Sequence, residues 1–168
     1  MDLETFQNFV LNSKNKLFRF ALKLLGDPDD ANEIVQEVFV KVWNQRDSKI
    51  KNMEAWSMQI TKNAALDRLR YLKKSHNNVD FSTVGLPSLE PSPHKKMEME
   101  DNMNYIREIM VGLSENQRNV IHLRDIEGYS YQEIGHILEL SLDQVKVNLF
   151  RARSKVKEQL LKINSHGL

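Results

Sequence analysis

Residues 129–153, YSYQEIGHILELSLDQVKVNLFRAR, hold two helix starts eleven residues apart, and no other stretch restricts the fold as tightly. Ser130 with Glu133 three residues on fits a capping box, in which each side chain satisfies the other residue's backbone amide. Tyr129 and Ile134 fit the hydrophobic staple that sets a helix's entry angle, and Ser141 with Gln144 and Leu140 with Val145 repeat both devices. A helix that starts after Ser130 and ends near Leu138 has only Glu139, Leu140 and Ser141 in which to turn into the next one, which is helix-turn-helix spacing. Such turns usually contain glycine. Here none is present, so a left-handed Glu139 would cost about 1 kcal/mol or more.

On the second of these helices Val145, Leu149, Ala152 and Val156 recur at i, i+4, i+7 and i+11 and make one narrow apolar stripe. The outer face then carries Asp143, Val147, Phe150, Arg151 and Ser154, flanked by Gln144 and Lys146. Those side chains suit thymine methyls, base edges and phosphates in a major groove. From 146 to 162 six cations, Lys146, Arg151, Arg153, Lys155, Lys157 and Lys162, face one acid, Glu158. The competing reading is an amphipathic surface helix with a solvated basic face.

The formal charge of the 168-residue chain is +1, so overall charge does not point to nucleic acid, but its distribution does. Asp27, Asp29, Asp30, Glu33 and Glu37 crowd 27–37 with no cation, whereas 62–74 hold Lys62, Arg68, Arg70, Lys73 and Lys74 against Asp67 alone. The absence of cysteine rules out disulfides and thiolate metal sites and fits a reducing compartment. No apolar run approaches the roughly 20 residues of a membrane span. The first residues mix acid and base rather than opening a signal peptide, so a soluble, cytoplasmic protein with no membrane insertion of its own is expected.

Three of the four prolines fall in STVGLPSLEPSPH, residues 82–94, which has little that could build a core and reads as linker. The expected fold is all-α: two small helical domains, 1–74 and 102–168, joined by a flexible linker over 75–101, with the helix-turn-helix in the second. The first domain opens with an apolar helical pattern from Phe6 to Leu25 that stops at Gly26. Asp27 then serves as N-cap with Pro28 at the first helical position, where its missing amide hydrogen does no harm. Ala31, Val35, Val38, Phe39 and Val42 share one face of that helix, and Asp30, Glu33, Glu37, Val40 and Asn44 the other. A loop over 45–53 precedes a helix running from about Glu54 toward Leu72, with Trp56, Ile60, Asn63 and Asp67 in one stripe. In the second domain a helix over about 102–113 and another capped by Ser114 with Gln117 precede the helix-turn-helix.

No catalytic constellation is present. His76, His94, His122, His136 and His166 have no close ligand spacing, no phosphate-binding glycine loop occurs, and no metal, cofactor or enzymatic turnover is expected.

Three segments together, DDANEIVQEVFVKVW at 29–43, AWSMQITKNAALDRLR at 55–70 and LSENQRNVIHLRDIEGYSYQEIGHILELSLDQVKVNLFRARSKV at 113–156, resemble the extracytoplasmic function (ECF) sigma factors of bacterial RNA polymerase in order, spacing and length. The resemblance implies that the first domain docks on core RNA polymerase through Asp30, Glu33, Gln36, Glu37 and Val40. It also implies that this domain reads and melts the minus-10 element, with a base held near 47–53 and the strand on Lys62, Asn63, Arg68 and Arg70. Unstacking bases costs free energy that a basic groove and a base pocket offset. The second domain would read the minus-35 element through Gln144, Lys146, Val147, Asn148, Phe150 and Arg151. The implied partners are core polymerase, promoter DNA and a membrane-tethered anti-sigma factor. Where the family often has Leu and Arg this chain has Ser57 and Gln59, which alters the packing beneath Trp56 and one phosphate contact. Three alternatives stand beside these implications: a solvated acidic face on 29–43, an Asn63 side chain bonded to Asp67, and a stand-alone helix-turn-helix regulator with the first domain as sensor or dimerisation module.

Overall fold

A computed structural model describes residues 1–75 and 104–166, which belong to two separate compact units. All regular elements among the described residues are helical. Apart from Ser75, the expected linker lies outside the described residues, as does the start of the helix expected from 102.

The first unit is a three-helix body: α1 (Leu3–Leu25), α2 (Pro28–Asn44) and α3 (Met53–Ser75). Each start has a side-chain cap. Asp2 accepts from the Thr5 amide at 2.8 Å, Asp27 from the Asp29 and Asp30 amides at 2.9 Å, and Asn52 from the Ala55 amide at 2.9 Å. Gly26, at φ 72°, ends α1 in the left-handed conformation that glycine adopts without steric penalty, and its amide donates to the Leu22 carbonyl. Leu17, Phe20 and Ala21 from α1, Ala31, Val38 and Val42 from α2, and Met58 and Ala65 from α3 are wholly inaccessible and form the core. Burying each of the larger ones is worth about 1.5–3 kcal/mol. Phe6 against Trp43 (ring centroids 4.9 Å apart) and Phe9 edge-on to Phe39 (6.1 Å) join α1 to α2.

The face that α3 buries lies beside the stripe of Trp56, Ile60, Asn63 and Asp67. Trp56 and Ile60 are half-buried and Asn63 and Asp67 exposed, while Ala55, Ser57, Met58, Thr61, Lys62 and Ala65 turn inward. Small residues win because they let α3 approach its neighbours closely, and their hydroxyls are satisfied locally. Ser57 donates to the Glu54 carbonyl and Thr61 to the Ser57 carbonyl, both at 2.8 Å.

The second unit comprises α4 (104–111), α5 (Glu115–Ile121), a π-turn (His122–Ile126), α6 (Tyr131–Leu138) and α7 (Leu142–His166). The capping box predicted at Ser114 and Gln117 is formed in both directions. Arg118 donates to the Met110 and Leu113 carbonyls at 3.1 and 2.6 Å, which ties the end of α4 to α5. At the π-turn the Glu127 amide reaches the His122 carbonyl, and His122 Nε2 lies 3.2 Å from Glu127 Oε1 with both side chains buried. Val120, Leu123, Ile134, Ile137, Val145 and Ala152 are fully inaccessible and form this unit's core.

Candidate nucleic-acid interface and acidic face

The turn between α6 and α7 is built from both predicted capping boxes. Ser130 and Glu133 exchange bonds of 2.7 and 3.1 Å, and Ser141 and Gln144 bonds of 2.8 and 3.1 Å. Glu139 stands between them at φ 57°, ψ 43°, the left-handed conformation that the missing turn glycine forces on it. The glycine of this motif is displaced into α6. A Cβ on Gly135 would stand 2.9 Å from the Leu140 carbonyl oxygen, and the Leu140 amide donates to the Gly135 carbonyl at 2.9 Å. That demand arises only in the folded turn, which brings Leu140 back over Gly135, so the sequence carried no sign of it.

As expected, Val145, Leu149 and Ala152 of α7 are buried and Val156 is half-buried, which turns the opposite side outward. Val147 is 44% and Phe150 74% exposed, large apolar groups left in water beside exposed Lys146 and Arg151. Neither of these two cations has a partner among the described residues. Gln144 and Asn148 are held at the start of the same face: the Gln144 carboxamide oxygen accepts from Ser141, and Asn148 donates to the Gln144 carbonyl at 2.8 Å.

Three of the remaining cations of α7 are engaged within the chain. Arg153 forks onto Asp125 of the π-turn through Nε at 3.1 Å and Nη2 at 2.5 Å, and that hydrogen bond, together with the carboxylate's charge, raises its pKa. Lys155 donates to the Gly112 carbonyl at 3.1 Å and to Gln117 at 3.3 Å, and Lys162 pairs with Glu158 at 3.3 Å. Asp125 and Arg153 lie 28 residues apart, so sequence reading counted Arg153 as part of an undivided basic face.

In the first unit, the outer side of α2 presents Glu33, Gln36, Glu37 and Val40 to solvent, Val40 at 60% exposure. Asp30 is partly covered. Arg68 of α3 engages this row: Nη1 lies 2.7 Å from Asp30 Oδ1 and 3.1 Å from Glu33 Oε2, and Nη2 lies 3.7 Å from Glu37 Oε1. The hydrogen bond from Arg68, with its charge, holds the Glu33 carboxyl below the usual glutamate value, and the Glu33 hydrogen bond is the main cause raising Arg68.

The remaining residues expected along the strand-binding helix are dispersed. Asn63 and Arg70 are exposed, Arg70 pairing with Asp67 at 2.8 Å, so the Asp67 carboxylate serves Arg70. Lys62 is 7% exposed. In the loop before α3, Lys49 and Lys51 stand in solvent, and Arg46 stacks over the Trp43 ring at 4.4 Å. Among the described residues no His, Asp and Glu converge into a metal-binding group, and no helix is long and apolar enough to cross a membrane.

Comparison with known proteins agrees with this arrangement. Residues 9–75 match sigma-70 region 2 and residues 103–156 match sigma-70 region 4. The chain is 28% identical to the ECF RNA polymerase sigma factor SigW of Bacillus subtilis (strain 168), across 95% of this chain and 90% of SigW. With SigM of the same organism it shares 29% identity across 85% of this chain and 87% of SigM. Among solved structures, the fold resembles the sigma factor RpoE crystallised with the anti-sigma factor NepR from Bartonella quintana (TM-score 0.73, 24% identity, 94% of this chain and 98% of that one). It also resembles CnrH in complex with the cytosolic domain of CnrY (TM-score 0.67, 22% identity, 95% and 89%). With both sigma-70 regions in order on an all-helical chain, the protein belongs to the ECF RNA polymerase sigma factors, alternative sigma factors that direct RNA polymerase to promoters.

Proposed function

We propose that the two units, bounded as 1–74 and 102–168 about a linker over 75–101, divide promoter recognition between them. The second reads the upstream element in the major groove with Gln144, Lys146, Val147, Asn148, Phe150 and Arg151. The observation that carries this reading is the outward pair Val147 and Phe150 beside Lys146 and Arg151, a mixed apolar and cationic face on a doubly capped helix. Such a face offers methyl contacts, base-edge donors and phosphate contacts together, which a merely solvated helix does not need.

The first unit docks on core polymerase through the exposed part of the acidic row, Glu33, Gln36, Glu37 and Val40. It takes the opened minus-10 strand along Asn63 and Arg70, near the lysines of the loop before α3. The chain binds and opens DNA without catalytic turnover of its own and works in the cytoplasm. An inhibitory partner is part of the proposal, supported by the similar sigma factor RpoE, which was solved in complex with the anti-sigma factor NepR, and by CnrH, which was solved in complex with the cytosolic domain of CnrY. We take the inhibitor to be membrane-tethered.

Run-off transcription with purified core polymerase and a randomised promoter library tests the proposal. Transcripts that depend on this chain and share a two-part upstream sequence are expected. Sequence-specific DNA binding without core, with no transcript, would identify a stand-alone regulator instead.

A further inference from the structure

Arg68 sits in the sequence among the cations of the strand-binding helix, yet its guanidinium is turned away from that duty. Its side chain is only 22% exposed and is surrounded by Asp30, Glu33 and Glu37 of the neighbouring helix. We propose that Arg68 is a positioning residue for polymerase docking, holding the carboxylates of Glu33 and Glu37 in the geometry that the polymerase meets.

Three carboxylates on successive turns of α2 repel one another and, left alone, would sample many rotamers. A guanidinium is suited to collecting them, because its planar fork donates in several fixed directions at once. The three acids are not equivalent in the result. Asp30 is 25% exposed and lies closest to Arg68, whereas Glu33 and Glu37 are 58% and 46% exposed. Each of these glutamates gives one oxygen to Arg68 and keeps its other oxygen for a ligand. Fixing a long side chain on binding costs conformational entropy. Arg68 meets part of that cost for two such side chains before docking. It also joins α2 to α3, so the docking face and the strand-binding helix share one side chain.

This inference rests on the reading that the acidic face docks on polymerase, and the test separates the two. Core affinity of the full chain is measured by titration for the wild type, Arg68→Gln, Glu33→Gln with Glu37→Gln, and the triple combination, with thermal melting of each alongside. Arg68→Gln is expected to weaken core binding about tenfold in the wild-type background and to have little further effect once both glutamates are neutralised. A loss of equal size in both backgrounds would mean that Arg68 supports the fold only, and would overturn the positioning role. If the glutamate pair matters and Arg68→Gln does not, the inference fails while the docking face stands. If the glutamate pair leaves core affinity unchanged, the docking face is misassigned and the inference falls with it. A third measurement, binding of assembled holoenzyme to a single-stranded minus-10 oligonucleotide, covers the remaining outcome. Loss of strand binding in Arg68→Gln with full core affinity would make Arg68 a DNA contact instead.

Discussion

Two residues beside the turn between α6 and α7 hold it in opposite ways. Glu139 accepts a strained left-handed backbone, and Gly135 leaves room for the Leu140 carbonyl. Gly135→Ala would gain roughly 1 kcal/mol of helix propensity, but its methyl would press on a backbone oxygen that has no free rotation to escape. Overpacking of this kind costs about 1–3 kcal/mol, so a net loss and a melting temperature lowered by several degrees are expected. A raised melting temperature would show that the backbone there has slack. The sequence made a strained turn legible, because the two capping boxes left only Glu139, Leu140 and Ser141 to turn on and none of them is glycine. Gly135 was not legible, since its role depends on an atom five residues away that only the folded turn brings close. The same division runs through the charges. Local pairs such as Arg70 with Asp67 follow from helix spacing, whereas Arg68 with Asp30 joins residues 38 apart and no local pattern announces it.

At the scale of the helices, the caps were the most legible feature and the buried face of α3 the least. Caps are short-range, chemically specific contacts, so Asp27, Ser114, Ser130 and Ser141 could be read directly. The core face of α3 is not marked by its large apolar residues: Ala55, Ser57, Thr61 and Ala65 are buried while Trp56 and Ile60 keep partial contact with water. The two alternatives give different mutational outcomes. Met58→Ala should cost about 2–5 kcal/mol and Ile60→Ala clearly less, read from chemical denaturation of the full chain. Equal losses would restore the sequence-based stripe. On α7 the structure divides a basic run into working classes. Arg151→Ala should lose about 1–3 kcal/mol of promoter discrimination if the side chain grips a base edge, or weaken all sequences alike if it touches phosphate. Arg153, bound to Asp125, should behave otherwise: Arg153→Ala and Asp125→Ala are expected to have similar small effects on stability, about 0.2–1 kcal/mol for an exposed pair. A promoter-library readout in which Arg153→Ala changes the preferred sequence would place Arg153 with the reading face.

For the whole molecule, a net charge of +1 conceals an acidic face on one unit and a basic one on the other. Each face is solvent-exposed within its own unit. A freely active sigma factor would compete continuously for polymerase, and on the proposed reading the faces that serve transcription are also those an inhibitor would cover. Because Glu33 and Glu37 remain open to water, attraction to them falls off over roughly 10 Å at 0.1 M salt, and a competitor must dock directly on α2 to block it. Purification from the native cell at low salt should therefore recover a stoichiometric inhibitor, released by added core polymerase. Glu33→Lys with Glu37→Lys should weaken its hold together with that of core, while circular dichroism shows unchanged helicity. Recovery of the chain free and already active under non-inducing conditions, with its abundance alone tracking promoter output, would move control from sequestration to synthesis. It would leave α2 as a polymerase surface only.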